Sequence, residues 1–284
     1  QKMIVIGGGY IGCELSHFYS SLGTHVTQVY RGDILLKHED EDIAKTFTNV
    51  VSKKYTVMLN TEVLSVSKQG KEIKVEIQEK GKKKILSCDV LLLATGVEPN
   101  TDLLEVQKTG VTFKENGFIN VDAYMQTNVK GIYAIGDIVG NYLFKHCANL
   151  EAEIATINAF THEKRKIDYT AMPHAIFSNP QIAGVGYTEQ ALKIKKITYT
   201  SARYPYLHTG MGKALEDHDG FVKVFVDPKK GTLLGCHILG TDASTLIHEV
   251  LVAMKNNLTA EDIVKTVHIH PALSEVVQRA LGQI

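Results

Sequence analysis

The strongest constraint on the fold is a glycine-rich run near the start of the chain, Gly7-Gly8-Gly9-Tyr10-Ile11-Gly12, which satisfies G-x-G-x-x-G. The apolar residues Met3–Ile6 before it predict a short strand, and apolar residues at helical spacing follow over Ile11–Leu22. This order predicts a dinucleotide-binding βαβ unit, in which Gly9 lets a pyrophosphate approach the backbone and Gly12 lets the helix pack on the strand. The alternative is a glycine-rich turn without a ligand.

The end of the second predicted strand, His25–Val29, bears on the choice of nucleotide. An NAD site usually places an acidic residue there to bind the ribose 2′-hydroxyl. This chain instead has Tyr30 and Arg31, with Lys37 one short loop later. Because cations suit a 2′-phosphate, the sequence favours NADP(H) over NAD(H). Alternatively, Arg31 and Lys37 are ordinary surface cations and Tyr30 merely stacks on adenine.

Composition excludes several classes of partner. The chain has 284 residues, enough for about two domains, and 31 basic against 31 acidic residues. It therefore lacks a net charge that would attract nucleic acid or an anionic membrane. The longest strongly apolar stretch, Val90–Ala94, is far shorter than the ~20 residues that span a bilayer, and we expect no secretory leader ahead of Met3.

The four cysteines are too far apart for a CxxC motif. We expect each to be a small buried side chain in a protein of a reducing, cytoplasmic compartment.

Later segments change in character along the chain. Charged Glu79–Lys84 predicts a hairpin turn, and Cys88–Ala94 predicts a buried parallel strand. The last third predicts an antiparallel sheet with helices. The other predicted elements are strands at Glu62–Ser67, Lys71–Gln78, Ile132–Ile135, Phe221–Val226 and Leu233–Leu239, and helices at Glu41–Lys53, Leu150–Phe160, Thr245–Lys255, Ala260–Lys265 and Leu273–Leu281.

A second motif, His268 to Glu275 (HIHPALSE), suggests acid–base chemistry. Pro271 is expected in the first turn of the final helix, which places Glu275 within reach of His270. A carboxylate on one imidazole nitrogen leaves the other nitrogen for proton transfer. Zinc binding by the two histidines and the glutamate is an alternative, but no further ligand lies nearby and we expect no metal. A purely structural His–Glu helix cap is another.

Together these motifs resemble the pyridine nucleotide-disulfide oxidoreductases, the flavoenzyme family of dihydrolipoamide dehydrogenase, glutathione reductase and mercuric reductase. Gly7–Glu14 is similar to the family's nicotinamide fingerprint, whose glutamate lies near the nicotinamide. Ala94–Thr101 resembles the ATGRxPN motif, with Val97 in place of the usual arginine. On this side, the expected cofactor-binding residues are Gly7, Gly9, Tyr10, Ile11, Gly12, Glu14, Tyr30, Arg31, Lys37 and Gly96.

The resemblance also implies a flavin. Gly131–Asp137 is similar to the family's second FAD motif, in which Asp137 would bind the ribityl-phosphate region. The next segment, Leu143–Glu151, includes Lys145 and His146 and stands where members of the family contact the isoalloxazine ring. Pro173–Gly186 resembles the opening of the dimerisation domain. His270 would be the acid/base for a thiol of the other subunit, and Glu275 would orient it.

Two parts of the chain resemble different members of the family. Thr241–Leu258 looks most like dihydrolipoamide dehydrogenases, whereas Tyr30–Lys37 resembles the NADPH-using trypanothione and glutathione reductases. An NADPH-dependent disulfide reductase of the glutathione or mycothione type is therefore an alternative function. The family's FAD fingerprint and CxxxxC do not occur, so we expect a C-terminal part of a longer FAD-dependent homodimer. Its substrate would be a small disulfide or dithiol, or a lipoyl-bearing protein. A non-catalytic NADP-binding and dimerising module is the remaining alternative.

The expected fold class is α/β. A Rossmann-like nicotinamide-nucleotide domain with a βββ insertion (residues 1–98) would precede a central, FAD-contacting segment (99–168). An α+β dimerisation domain (169–284) would follow.

Overall fold

A computed structural model describes all 284 residues. They form two compact units: Gln1–Gly96 together with Pro173–Ile284, and Val97–Met172. The three-domain division of the sequence stays a prediction. No helix has both the length and the apolar character needed to cross a bilayer.

The first part of the larger unit has the expected Rossmann-like fold with a three-stranded insertion. A parallel sheet in the order β3-β2-β1-β7 lies beside an antiparallel sheet, β4-β5-β6. The elements are β1 (Lys2–Ile6), α1 (Tyr10–Ser21), β2 (His25–Val29), α2 (Glu41–Val51), β3 (Thr56–Met58), β4 (Thr61–Gln69), β5 (Glu72–Glu79), β6 (Lys82–Cys88) and β7 (Val90–Leu93).

Two details of this region differ from the sequence expectation. The hairpin turn between β5 and β6 is confined to Lys80 and Gly81, because Lys82 already pairs with Glu79. The parallel strand begins at Val90 rather than Cys88, which ends β6 opposite Ile73. As an edge strand, β7 pairs only with β1, and its last residue, Leu93, is 68% exposed. The expectation of a buried strand was therefore wrong at this end.

The smaller unit contains one long helix, α3 (Lys145–Phe160), and two short 3-10 helices at Val106–Thr109 and Gly136–Val139. The helix starts five residues before the expected Leu150, because it opens with two exposed polar residues, Lys145 and His146, that give no apolar periodicity. The strand expected at Ile132–Ile135 was wrong, since only Tyr133 forms a bridge, to Gln126.

The remainder of the larger unit is α+β, as expected. A five-stranded antiparallel sheet has the order β10-β11-β12-β9-β8. The elements are β8 (His174–Ile176), β9 (Ile182–Gly186), α4 (Glu189–Lys195), β10 (Thr200–Pro205), α5 (Gly210–Ala214), β11 (Phe221–Val226), β12 (Leu233–Leu239), α6 (Ala243–Lys255), α7 (Ala260–Lys265) and α8 (Glu275–Leu281).

The final helix begins later than expected. Ser274 is the N-cap of α8 and Glu275 is its first residue. Pro271 therefore lies in the preceding turn rather than in the first turn of the helix. Because Glu275 accepts a hydrogen bond from Ala272 N at 3.1 Å, its side chain folds back over that turn.

An apolar core joins the parallel sheet and the five-stranded sheet of the larger unit. Met3 and Phe47, from the nucleotide-type half, share a cluster with Ile176, Phe221 and Leu239 of the five-stranded sheet. All five side chains are buried. The hydrophobic effect thus holds the two halves together over a continuous surface.

A buried ionic cluster lies beside this core. Lys223 on β11 is 5% exposed and contacts three carboxylates: Asp40 at 2.9 Å, Asp42 at 2.7 Å and Glu189 at 2.8 Å. The hydrogen bonds from Lys223 and then from Lys193 lower the pKa of Glu189 to about 2. The cluster connects the start of α2 to β11 and α4.

We predict that the contribution of Glu189 to stability is lost in acid. Its pKa in the folded state lies below the value of about 4.3 expected for an unfolded chain, so the ionised form stabilises the fold above that value. The difference in unfolding free energy between the wild type and Glu189→Gln should be constant above pH 6 and disappear between about pH 4.5 and 2. Urea titrations at each pH measure it.

Glu261→Gln is the control, because Glu261 forms an exposed pair with Lys265. That variant should follow the wild type at every pH. A pH-independent effect of Glu189→Gln would contradict the assignment.

Candidate functional site

The glycine-rich turn lies between β1 and α1, at the carboxyl end of the parallel sheet. The first α-helical hydrogen bond runs from Cys13 N to Gly9 O at 3.0 Å, so the first-turn N–H groups precede it and point out of the helix N-terminus. A Cβ at Gly9 would meet no atom within 4 Å, which leaves open space above the turn. Such a cradle fits a pyrophosphate.

Close packing explains the other two glycines of the motif. Gly7 has φ +137°, and a Cβ there would lie 2.1 Å from Ala94 O, in the segment that follows β7. A Cβ on Gly12 would lie 2.7 Å from Gly7 O. Gly96, with φ +136°, lies two residues after Ala94 and is exposed. The motif glycines therefore let the turn, the helix and the β7 end approach one another.

A buried glutamine fixes the shape of this turn. Gln28 on β2 is fully buried and donates through Nε2 to Gly7 O at 2.8 Å. Tyr55 Oη donates to Gln28 Oε1 at 3.2 Å, which orients the amide. Sequence inspection missed Gln28, although a polar residue inside an apolar strand is a detectable signal.

The residues expected to select the nucleotide follow β2. The ring of Tyr30 packs against the turn, since a Cβ on Gly8 would lie 2.6 Å from it and one on Gly32 2.4 Å from it. Arg31 and Lys37 are exposed. Leu36 N donates to Gly8 O at 2.8 Å, so this loop folds back onto the glycine turn. Neither Arg31 nor Lys37 forms an ion pair within the chain.

Two residues of the predicted fingerprint contact the segment around β8. Tyr10 Oη donates to the Glu39 carboxylate, whose other oxygen is 2.7 Å from His174 Nε2. One helical turn later, Glu14 Oε1 accepts a hydrogen bond from Phe177 N at 2.8 Å. Ile11, between them in sequence, is 53% exposed. The first turn of α1 is thus held from one side and open on another.

In the smaller unit, a buried glutamate supports the turn that carries Asp137. Gly136 N donates to Glu151 Oε2 at 2.5 Å, and Tyr169 Oη donates to Glu151 Oε1 at 2.6 Å. Burial and then Glu151 raise the pKa of Cys147 to about 12. Asp137 itself is exposed. This arrangement leaves its carboxylate available to a ligand.

The other two residues that the resemblance assigns to flavin lie in the first turn of α3. Lys145 and His146 are both exposed. Lys145 Nζ hydrogen-bonds Asn149, and the His146 ring stacks on Phe144 with centroids 5.3 Å apart.

The structure brings His270 and Glu275 together as expected. His270 Nδ1 lies 3.0 and 3.2 Å from the two carboxylate oxygens of Glu275. The His270 side chain is 74% exposed, whereas that of Glu275 is 9% exposed. The hydrogen bonds from His270 and then from Ala272 N lower the pKa of Glu275. An ionised carboxylate on Nδ1 leaves Nε2 directed to the surroundings for proton transfer.

His268 has a different role. Its Nε2 lies 2.6 Å from Glu249 Oε1 and its Nδ1 lies 2.8 Å from Thr266 O. Because both nitrogens are hydrogen-bonded, neither is available as a metal ligand in this arrangement. His268 therefore anchors the segment that presents His270.

Family models match nearly the whole chain. The model for pyridine nucleotide-disulphide oxidoreductases matches residues 1–159, and the model for the dimerisation domain of the same family matches residues 172–281. The chain belongs to the pyridine nucleotide-disulphide oxidoreductase family. The resemblance seen in the sequence motifs is thereby confirmed.

Individual relatives include two kinds of oxidoreductase. Dihydrolipoyl dehydrogenase of Bacillus subtilis is 35% identical over 282 residues, which cover 99% of this chain and 60% of the relative. Mycothione reductase of Mycobacterium tuberculosis is 36% identical over 287 residues, or 99% of this chain and 62% of the relative. The chain thus spans about three fifths of the length of these family members.

Solved structures of the family superpose closely. LpdA of Mycobacterium tuberculosis has a TM-score of 0.91 at 26% identity, over 99% of this chain and 61% of that one. The HOCl-induced flavoprotein disulfide reductase RclA of Escherichia coli has a TM-score of 0.91 at 25% identity, over 100% of this chain and 65% of that one. The expected fold class is confirmed.

We predict that Glu275 sets the tautomer of His270. Removing the carboxylate in Glu275→Ala should abolish the preference for a proton on Nδ1, which ¹⁵N NMR of the imidazole measures. The variant should also lose about 1 kcal/mol of unfolding free energy, because Ala272 N loses its acceptor. Glu275→Gln, which retains an acceptor oxygen, should lose less. An unchanged tautomer in Glu275→Ala would contradict the pairing.

Proposed function

We propose that this chain carries the nicotinamide-nucleotide site and the acid/base pair of a FAD-dependent disulfide oxidoreductase of the dihydrolipoamide dehydrogenase type. The observation that supports it most strongly is the His270–Glu275 pair, in which a nearly buried carboxylate holds an exposed imidazole. A flavin, when bound, would pass electrons between nicotinamide and a disulfide. His270 would hold or release the thiol proton at Nε2.

The reaction would be oxidation of dihydrolipoamide, or of a lipoyl-bearing protein, by NAD(P)⁺. Similarity to dihydrolipoyl dehydrogenases over 99% of the chain supports this choice. Deprotonating a thiol makes it a nucleophile and an electron donor, so a base beside the thiol is what such a reaction requires. The buried cysteines of the chain are consistent with a reducing cytoplasmic setting.

A second candidate is an NADPH-dependent reductase of the mycothione or glutathione type. Two observations favour it: Tyr30 and Arg31 replace the acidic residue typical of NAD sites, and mycothione reductase is 36% identical.

Steady-state assays separate the two candidates. The assays use the chain expressed together with any coding sequence that adjoins it, because the proposed reaction needs a bound flavin and a cysteine pair. The leading proposal expects dihydrolipoamide-dependent reduction of NAD(P)⁺, whereas the second expects NADPH oxidation by glutathione disulfide or mycothione and little activity with lipoamide. The isolated chain should show no dithiol-dependent turnover, because the proposal places the cysteine pair outside it. Flavin absorbance together with dithiol-dependent turnover by the isolated chain would contradict this proposal.

We propose that the cofactor-binding residues are those named from the sequence, with NADP(H) preferred. Arg31→Glu should weaken NADPH binding about tenfold while changing NADH binding less than about twofold, because only NADPH carries the 2′-phosphate. Isothermal titration of the chain measures both affinities. Lys53→Glu, an equal charge change at an exposed position after α2, is the control. Equal binding of the two nucleotides by the wild type would contradict the assignment.

We also propose a homodimer formed through the C-terminal part. The match to the family's dimerisation domain supports it. So does the segment that presents His270, because its apolar residues Val267 and Ile269 are 94% and 79% exposed. Exposed apolar side chains that cluster at one segment are typical of protein interfaces.

Ile269→Asp should convert the dimer to monomer at micromolar concentration, because the interface would have to desolvate a carboxylate. Light scattering after size exclusion measures the mass. Ile194→Asp, at an 80% exposed position on α4, should remain dimeric. A wild-type monomer, or a dimeric Ile269→Asp, would contradict the proposed interface.

A further inference from the structure

A row of side chains crosses the five-stranded sheet on the face that meets the nucleotide-type half. His174 on β8 lies opposite Gly184, which lies opposite His237 on β12, which in turn lies opposite Lys223 on β11. Directly opposed residues of antiparallel strands share a face. The row therefore presents two imidazoles and one ammonium group to the segment that begins α2.

Only glycine fits between the two imidazoles. A Cβ on Gly184 would lie 2.6 Å from His174 Cε1 and 2.8 Å from His237 Nδ1. His237 Nε2 lies 2.9 Å from Tyr187 O, to which it must donate, and burial lowers the pKa of His237. His237 is therefore neutral, and His174 is the imidazole of the row that pairs with a carboxylate.

That carboxylate belongs to Glu39, which is 1% exposed. Its Oε2 lies 2.7 Å from His174 Nε2, and its Oε1 accepts a hydrogen bond from the Tyr10 hydroxyl. Burial raises the pKa of Glu39, but the hydrogen bonds from His174 and Tyr10 outweigh it and lower the pKa overall. An ionised Glu39 thus bridges the sheet and the first residue of α1.

The bridge has a consequence for the turn that α1 follows. The rings of Tyr10 and His174 are also nearly parallel, at 20°, with centroids 6.1 Å apart. Tyr10 begins the helix whose first-turn N–H groups point at the open space above Gly9. Hydrogen bonds weaken steeply as their distance and angle depart from the ideal, so a small displacement of this turn weakens the hydrogen bonds to a bound phosphate.

We propose that Glu39 is a positioning residue for the nucleotide site: its two carboxylate oxygens transmit the position of His174 to Tyr10, and this sets the affinity for NADP(H). The inference rests on the proposed nucleotide-binding function. Glu39 does not need to touch the nucleotide for this effect to occur.

The test is a set of NADPH dissociation constants for the intact chain, read from the nicotinamide fluorescence, which no tryptophan obscures. Glu39→Gln should weaken binding about tenfold, since the charged acceptor of two hydrogen bonds is lost. Glu41→Gln is the matched control, because Glu41 is two residues away, exposed and paired only with Lys45. It should bind within about twofold of the wild type.

A double-mutant cycle shows whether His174 affects NADPH binding through Tyr10 or through a general loss of stability. His174→Gln should weaken NADPH binding about threefold in the wild-type background and have no further effect in Tyr10→Phe, because the route to the turn is already broken. This cycle decides the question even if Glu39→Gln does not fold.

Two results would overturn the inference. One is wild-type affinity in both Glu39→Gln and His174→Gln. The other is full additivity of His174→Gln and Tyr10→Phe. A wild-type chain that binds no NADPH would instead overturn the proposed nucleotide site itself, and the inference with it.

Discussion

Two consecutive buried carboxylates, Glu39 and Asp40, connect the nucleotide-type half of the larger unit to the five-stranded sheet. Asp40 is fully buried. It accepts a hydrogen bond from Asp42 N as the N-cap of α2 and another from Glu189 N at the start of α4, and it pairs with Lys223. Removing one partner of a buried charge pair costs about 3–5 kcal/mol, because the other charge stays buried without compensation. The position of α2, and of the loop between β2 and α2, depends on these contacts.

The two candidate sites are built in opposite ways. The glycine turn is rigid where it packs, at Gly7 and Gly12, and open where a phosphate would approach, at Gly9. The acid/base pair is arranged oppositely, with a nearly buried carboxylate that holds an exposed imidazole. An imidazole presented in this way is accessible to a group from outside the chain, as the proposed pairing with a second subunit and a flavin requires.

Much of the fold and of both candidate sites was predictable from the sequence, because the patterns that indicate them are local. The limits of β2, β11 and β12 follow from apolar patterning, and the glycine motif and the His270–Glu275 pair each lie within a few residues. The supports of these sites were not predictable. Glu39 and His174 are 135 residues apart, and nothing in a one-dimensional pattern indicates that they meet. Strands β8 and β9 are short and interrupted by Asn179-Pro180, so alternation never becomes visible.

The most direct test of the nucleotide site is a crystal structure of the chain with NADP⁺. We expect the pyrophosphate within hydrogen-bond distance of the backbone N–H groups at the start of α1, and the 2′-phosphate beside Arg31 or Lys37. Tyr10 should still hydrogen-bond Glu39. A nucleotide bound away from Gly9, or a 2′-phosphate that contacts neither cation, would contradict the proposed site.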